Sequence, residues 1–176
     1  MALAAGTVAL TGLSLWNHPR AEAVSFYAAA RNYLAFGEID AGVEHMQNAI
    51  AAAPEAIDLQ DAYLRLTPML FNRGAPEAAS TLDAGLTRFP QNHTLRLLQL
   101  ARADLGGDGA ARQKLDTFKR SRGVSHLLAE LYYHLGRGQQ KNGDGPAAVV
   151  ALRRSLEFNP RRTQTLQSLQ AALALP

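Results

Sequence analysis

The chain has 176 residues, of which 47% are hydrophobic and 19% charged, and it contains no cysteine. That composition belongs to a folded chain, its leucine and alanine bias favours helix, and the missing thiols exclude disulfides, thiolate metal sites and a cysteine nucleophile. The net charge of +3 conceals a polarity: residues 1–87 hold 4 Arg, no Lys and 9 acids, a net −5, whereas residues 88–176 hold 14 basic and 6 acidic residues, a net +8.

Residues 1–19 carry no Lys, Arg, Asp or Glu. The apolar run from Ala2 to Trp16 has the length of a signal-peptide core and is short for a membrane span of about 20 residues. Asn17 and Pro19 are expected to break it, and Ala21-Glu22-Ala23 has the small-x-small form of a cleavage site. No cation precedes the run. Two readings stay open: export or membrane association through residues 2–16, or a packed helix over 3–16.

From Pro19 onward, prolines recur at Pro19, Pro54, Pro90 and Pro160, with gaps of 35, 36 and 70 residues. A period in this range marks one supersecondary unit copied along the chain. In residues 26–54, Phe26, Ala29, Ala30 and Tyr33 form one helical stripe. Gly37-Glu38 turns the chain, and Gly42, Val43, Met46, Ala49 and Ile50 form a second stripe closed by Pro54. In 61–90, Tyr63, Leu66 and Leu70 precede Gly74, and Ala78, Leu82 and Gly85 follow. Pro68 falls inside the first helix, where a lost hydrogen bond and a kink are expected. In 95–123, Leu95, Leu98, Ala101 and Leu105 precede Gly106-Gly107-Asp108-Gly109, and Ala111, Leu115 and Phe118 follow. Here Gly123 replaces the proline. In 132–160, Tyr132, Leu135 and Gly136 belong to a helix over 124–141. Asp144 can cap the next helix, with Pro146 in its first turn. Ala148, Val149, Leu152, Ser155 and Leu156 point inward, and Asn159-Pro160 ends the copy. The tail from Arg162 to Leu175 reads as a cap helix, with Leu166, Leu169 and Leu173 inside and Gln164, Gln167 and Gln170 largely outside.

These offsets resemble the tetratricopeptide repeat, a helix–turn–helix unit of about 34 residues. Arg102 departs from that pattern, standing where the family has an aromatic residue. The resemblance covers residues 22–160 and implies an all-α, right-handed α-solenoid of about four repeats (22–54, 57–90, 93–123, 126–160), capped by residues 161–176. It further implies that the first helices line a concave groove that binds peptides. The positions carried over are Tyr27, Arg31, Leu34, Leu64, Arg65, Phe71, Arg96, Leu97, Glu130, Tyr133, His134, Arg137 and Lys141. The family's carboxylate clamp of Lys and Asn is not reproduced.

Catalytic signatures are missing: there is no Gly-x-Ser-x-Gly, phosphate-binding loop or His-Glu-x-x-His motif. Gly106–Gly109 follows a helix, not a strand, and serves the repeat's internal turn. His126, Glu130 and His134 share a helix face, but the two imidazoles lie two turns apart, too far to share one ion without distortion. The expectation is therefore a scaffold or adaptor without enzymatic activity, cofactor or metal. Its cationic groove fits an acidic protein or peptide. Basic residues at Lys119-Arg120, Arg122, Arg153-Arg154 and Arg161-Arg162 lack aromatic interleaving, which argues against nucleic acid. Self-association by head-to-tail charge complementarity is a further alternative. The compartment stays open between cytoplasmic and membrane-associated or periplasmic, and the alanine- and arginine-rich composition suits a bacterium with a GC-rich genome.

Overall fold

The computed structural model describes the backbone of residues 3–175 and the side chains of residues 18–175. The described residues are all-helical: α1 (Leu3–Ala35), α2 (Ile39–Ala52), α3 (Leu59–Arg73), α4 (Ala78–Arg88), α5 (His93–Leu105), α6 (Gly109–Asp116), α7 (Arg122–Lys141), α8 (Gly145–Phe158) and α9 (Thr163–Leu173). Short 3-10 turns occupy Pro54–Ala56 and Thr117–Arg120. The chain divides into two compact units, Met1–Ala62 and Tyr63–Pro176.

The helix boundaries follow local chemistry. Pro54, Pro90 and Pro160 each stand two residues beyond the end of a helix (α2, α4 and α8). A proline there lacks the amide needed to extend the ladder. Gly37, Gly74, Gly107 and Gly143 are the positive-φ residues among those described, at 81°, 68°, 94° and 79°. They follow α1, α3, α5 and α7 in turn, where the left-handed conformation ends a helix at no side-chain cost. Asn92, Asp108 and Asp144 cap α5, α6 and α8 by accepting backbone N–H bonds at 2.9–3.1 Å.

Two prolines do not act as stops. α1 runs through Pro19 instead of breaking there, and α3 runs through Pro68. One interior proline costs about 3 kcal/mol, which neighbouring turns can outweigh. The two readings of residues 2–16 concern side chains outside the described residues. Among the described residues, no helix is long and apolar enough to cross a membrane.

In the first unit, Ala23 and Ala30 of α1 and Val43, Met46 and Ala49 of α2 are fully buried. Leu34 packs so tightly over Gly42 that a Cβ there would sit 2.6 Å from the leucine side chain. In the second unit, Leu82, Leu95, Leu98, Leu115, Leu128, Leu131, Tyr132 and Phe158 form one core. In residues 93–123 the second helix is short: α6 has 8 residues and gives way to the 3-10 turn at Thr117–Arg120, from which Phe118 packs on the core.

The tail departs from its expected orientation. α9 buries Thr165, Ser168 and Ala172, while Leu166 and Leu173 are 43% and 59% exposed. Small residues let α9 lie close to α7 and α8. Ser155 illustrates this closeness, donating to the Ala129 carbonyl and meeting Thr165 Oγ1 at 3.2 Å.

α3 and α7 approach backbone to backbone at Gly138. A Cβ there would lie impossibly close to the Phe71 carbonyl oxygen. Gly138→Ala is therefore expected to destabilise the protein by about 1–3 kcal/mol, as overpacking does. Gly143→Ala, in open space but at positive φ, should cost about 1 kcal/mol through backbone strain alone. Urea denaturation at neutral pH checks both; a Gly138→Ala midpoint equal to wild type would refute the close approach.

Candidate binding site

A buried ionic cluster ties together α5, α6, α7 and α8, and α7 also carries one wall of the candidate site. Asp104, in the last turn of α5, has no exposed side-chain surface. It accepts hydrogen bonds from Tyr132 Oη at 2.5 Å, Arg112 Nε at 2.7 Å and Arg154 Nε at 2.8 Å. Arg154 is also buried, and it reaches Glu157 at 2.5 Å and lies 3.1 Å from Asp116. Lys119 bridges Asp116 and Glu157 at 3.2 and 3.0 Å. Below these charges the Tyr132 and Phe158 rings stack at 5.7 Å and 11°, and the Arg154 guanidinium sits 5.4 and 5.3 Å from their centroids.

Three acids meet three bases here, so burial leaves no net charge. Burial pushes the Asp104 carboxyl up, but hydrogen bonds from Tyr132, Arg112 and Arg154 outweigh it and hold it below the usual carboxylate range. Asp116 and Glu157 are likewise held low against partial burial, by Lys119 and Arg154. Burial and the bond to Asp104 push the Tyr132 phenol up. Arg154 is thus a structural cation rather than part of a basic surface.

Next to this cluster, α7 and α9 form a cleft of about 280 Å³ lined by Tyr133, Arg137, Gln164, Gln167, Ser168 and Ala171. Arg137 donates to Gln140, which in turn donates to the Ser168 carbonyl. Arg162 lies over the Tyr133 ring at 4.8 Å. Arg137 has no carboxylate partner among the described residues.

The thirteen carried-over positions separate into distinct environments. Tyr133 and Arg137 meet in the α7–α9 cleft, and the exposed Lys141 ends the same helix. His134 is not a groove residue: it is 6% exposed, takes a hydrogen bond from Asn72 at 2.9 Å and lies 3.6 Å from Glu130. That contact holds the Glu130 carboxyl below its usual range. Leu97 is buried in the core, and Leu64 and Phe71 pack against it. Leu34 is committed to Gly42. Arg96 is exposed and Arg65 half-buried. In the first unit, Tyr27 donates to Asp61 at 2.7 Å, its phenol is pushed up to about 12 by burial and that bond, and Arg31 lies 5.8 Å from its ring.

Sequence reasoning missed Asp104 and the burial of Arg154, because partners 28 and 50 residues apart leave no periodic trace. Gln164 and Gln167 are exposed, as their outer placement anticipated, and from there they line the cleft. No known protein-family model matches the chain, and no curated protein matches it.

The carboxylates give stability a defined pH dependence. Their folded-state pKa values lie below the unfolded ones, so the unfolded chain binds more protons as pH falls. Stability is fully present above about pH 4–5, the unfolded carboxylate range, and falls below it. The urea midpoint should decline steeply from pH 5 to pH 2. Tyr132→Phe, which removes one hydrogen bond to Asp104, should make that decline smaller. A midpoint flat to pH 2 in the wild-type chain contradicts the charged cluster.

Proposed function

We propose that this chain is a non-enzymatic adaptor, a right-handed solenoid of tetratricopeptide-like helix pairs that binds an acidic segment of a partner protein in the cleft between α7 and α9. The observation that carries this reading is Arg137, a half-buried guanidinium without a carboxylate partner among the described residues, beside the Tyr133 ring. A carboxylate entering there gains a charge-assisted hydrogen bond, and its apolar stem gains an aromatic face. Gln164, Gln167 and Ser168 offer further polar contacts from α9. The net +8 of residues 88–176 favours approach of an anionic segment. The solenoid reading is supported by the regular placement of Gly37, Gly74, Gly107 and Gly143 and of Pro54, Pro90 and Pro160.

Self-assembly is a second reading, favoured by the exposed Leu166 and Leu173 on α9 together with the opposite charges of the two halves. Copies joined in this way should dissociate as salt screens their attraction, which sedimentation at low and high ionic strength would register.

For the adaptor reading, the probe is a fluorescently labelled hexaglutamate peptide followed by anisotropy. Arg137→Ala with Lys141→Ala should weaken its binding at least tenfold, and added salt should weaken wild-type binding. Undiminished affinity in the double variant would sink the cleft as the binding site.

A further inference from the structure

Arg102 stands where the repeat pattern calls for an aromatic residue, and the adaptor reading makes no use of it. It lines a second and larger cleft, of about 400 Å³, framed by α3, α5 and α7, the turns that follow them and the start of α4. That volume falls within the range of small-molecule pockets, about 300–1,000 Å³. On one side the Arg102 guanidinium lies 5.2 Å from the centroid of the Phe71 ring. Leu105, Leu135 and Ala79 add apolar wall, and the amides of Gln139 and Asn142 stand at the edge.

Three features make this cleft more than a gap between helices. The first is charge: Arg102 has no carboxylate partner among the described residues, although Asp104, two positions along the helix, holds Arg112 and Arg154. The second is rigidity. The close approaches at Gly138 to the Phe71 carbonyl and at Gly74 to Asn142 fix α3 against α7, so the walls are preformed. The third is mixed lining: an unneutralised cation and two amides beside an aromatic ring and two leucines make a site that is polar at one end and apolar at the other. A phosphate or sulfate would satisfy only the first. A purely apolar ligand would leave the guanidinium desolvated without a counter-charge, which is unfavourable.

We propose that this cleft binds a small free monocarboxylic acid with an apolar body, its carboxylate on Arg102 and its body against Phe71, Leu105 and Leu135. Arg102 makes the site by placing a planar cation on the cleft wall beside the Phe71 ring. Because Phe71 and Arg102 belong to α3 and α5, occupancy would also brace these two helices against α7.

Phenylacetate, with phenylacetamide as its neutral match, tests the proposal by NMR titration of the full-length ¹⁵N-labelled chain. Phenylacetate should bind saturably, with amide shifts centred on Phe71, Gly106 and Gln139, and phenylacetamide should bind at least tenfold more weakly. Arg102→Met should weaken phenylacetate at least tenfold and leave phenylacetamide within about twofold. Arg137→Ala should leave phenylacetate unaffected, which separates this cleft from the one between α7 and α9. Failure of phenylacetate to saturate, equal affinity for acid and amide, undiminished binding by Arg102→Met, or shifts centred on Tyr133 and Gln167 would each overturn the proposal. The acid–amide comparison on the wild-type chain decides even where Arg102→Met does not fold.

Discussion

Asp104 is an acid without exposed side-chain surface, and three other helices of the second unit converge to satisfy it. α7 supplies Tyr132, α6 supplies Arg112 and α8 supplies Arg154, so one carboxylate from α5 is bonded to three other helices. A buried charge is costly unless paired and hydrogen-bonded, and here every bond to it comes from a different helix. If any one helix shifted, the acid would lose a partner it could not replace with water. The cluster therefore specifies relative helix position in a way that the leucine core, which tolerates exchange of similar volumes, does not. The exposed rim pairs, such as Lys119 with Glu157, contribute far less because water competes for both partners.

Both candidate clefts use helices that the cluster bonds together, α7 in the first and α5 and α7 in the second. Tyr132 and Tyr133 are consecutive on α7, so the bond that fixes one toward Asp104 turns the other toward α9. Arg137, one turn further on, follows with it. On α5, Asp104 and Arg102 diverge in a similar way: the acid enters the core cluster, and the cation remains over Phe71 in the second cleft. Structural and candidate functional residues thus alternate along the same helices.

Much of the helical layout was legible in the sequence, because its signals are local. Proline two residues past a helix end, glycine at the turns after α1, α3, α5 and α7, and aspartate at the cap of α8 each act within a few residues of where they are read. The stripes through Val43, Met46 and Ala49 and through Tyr132, Leu135 and Gly136 were legible for the same reason. What failed to show was set by distant packing. Three leucines on α9 looked like an inner face, yet only Leu169 packs on Ala148 and Leu152, while Leu166 and Leu173 are exposed and Thr165, Ser168 and Ala172 are buried. His134 looked available on its helix face until Asn72, 62 residues away, covered it. Arg154 looked like half of a basic pair, and only the fold reveals that it is buried among acids while its neighbour Arg153 is exposed.

A double-mutant cycle on Asp104→Asn and Arg154→Met, read as unfolding free energies in urea at pH 7, tests most directly whether this cluster organises the second unit. Removing either partner leaves the other buried without its counter-charge, so each single change should cost about 3–5 kcal/mol. The double variant should cost clearly less than the sum, with a coupling above about 1 kcal/mol. Single losses below about 1 kcal/mol, or effects that add within about 0.5 kcal/mol, would contradict the account.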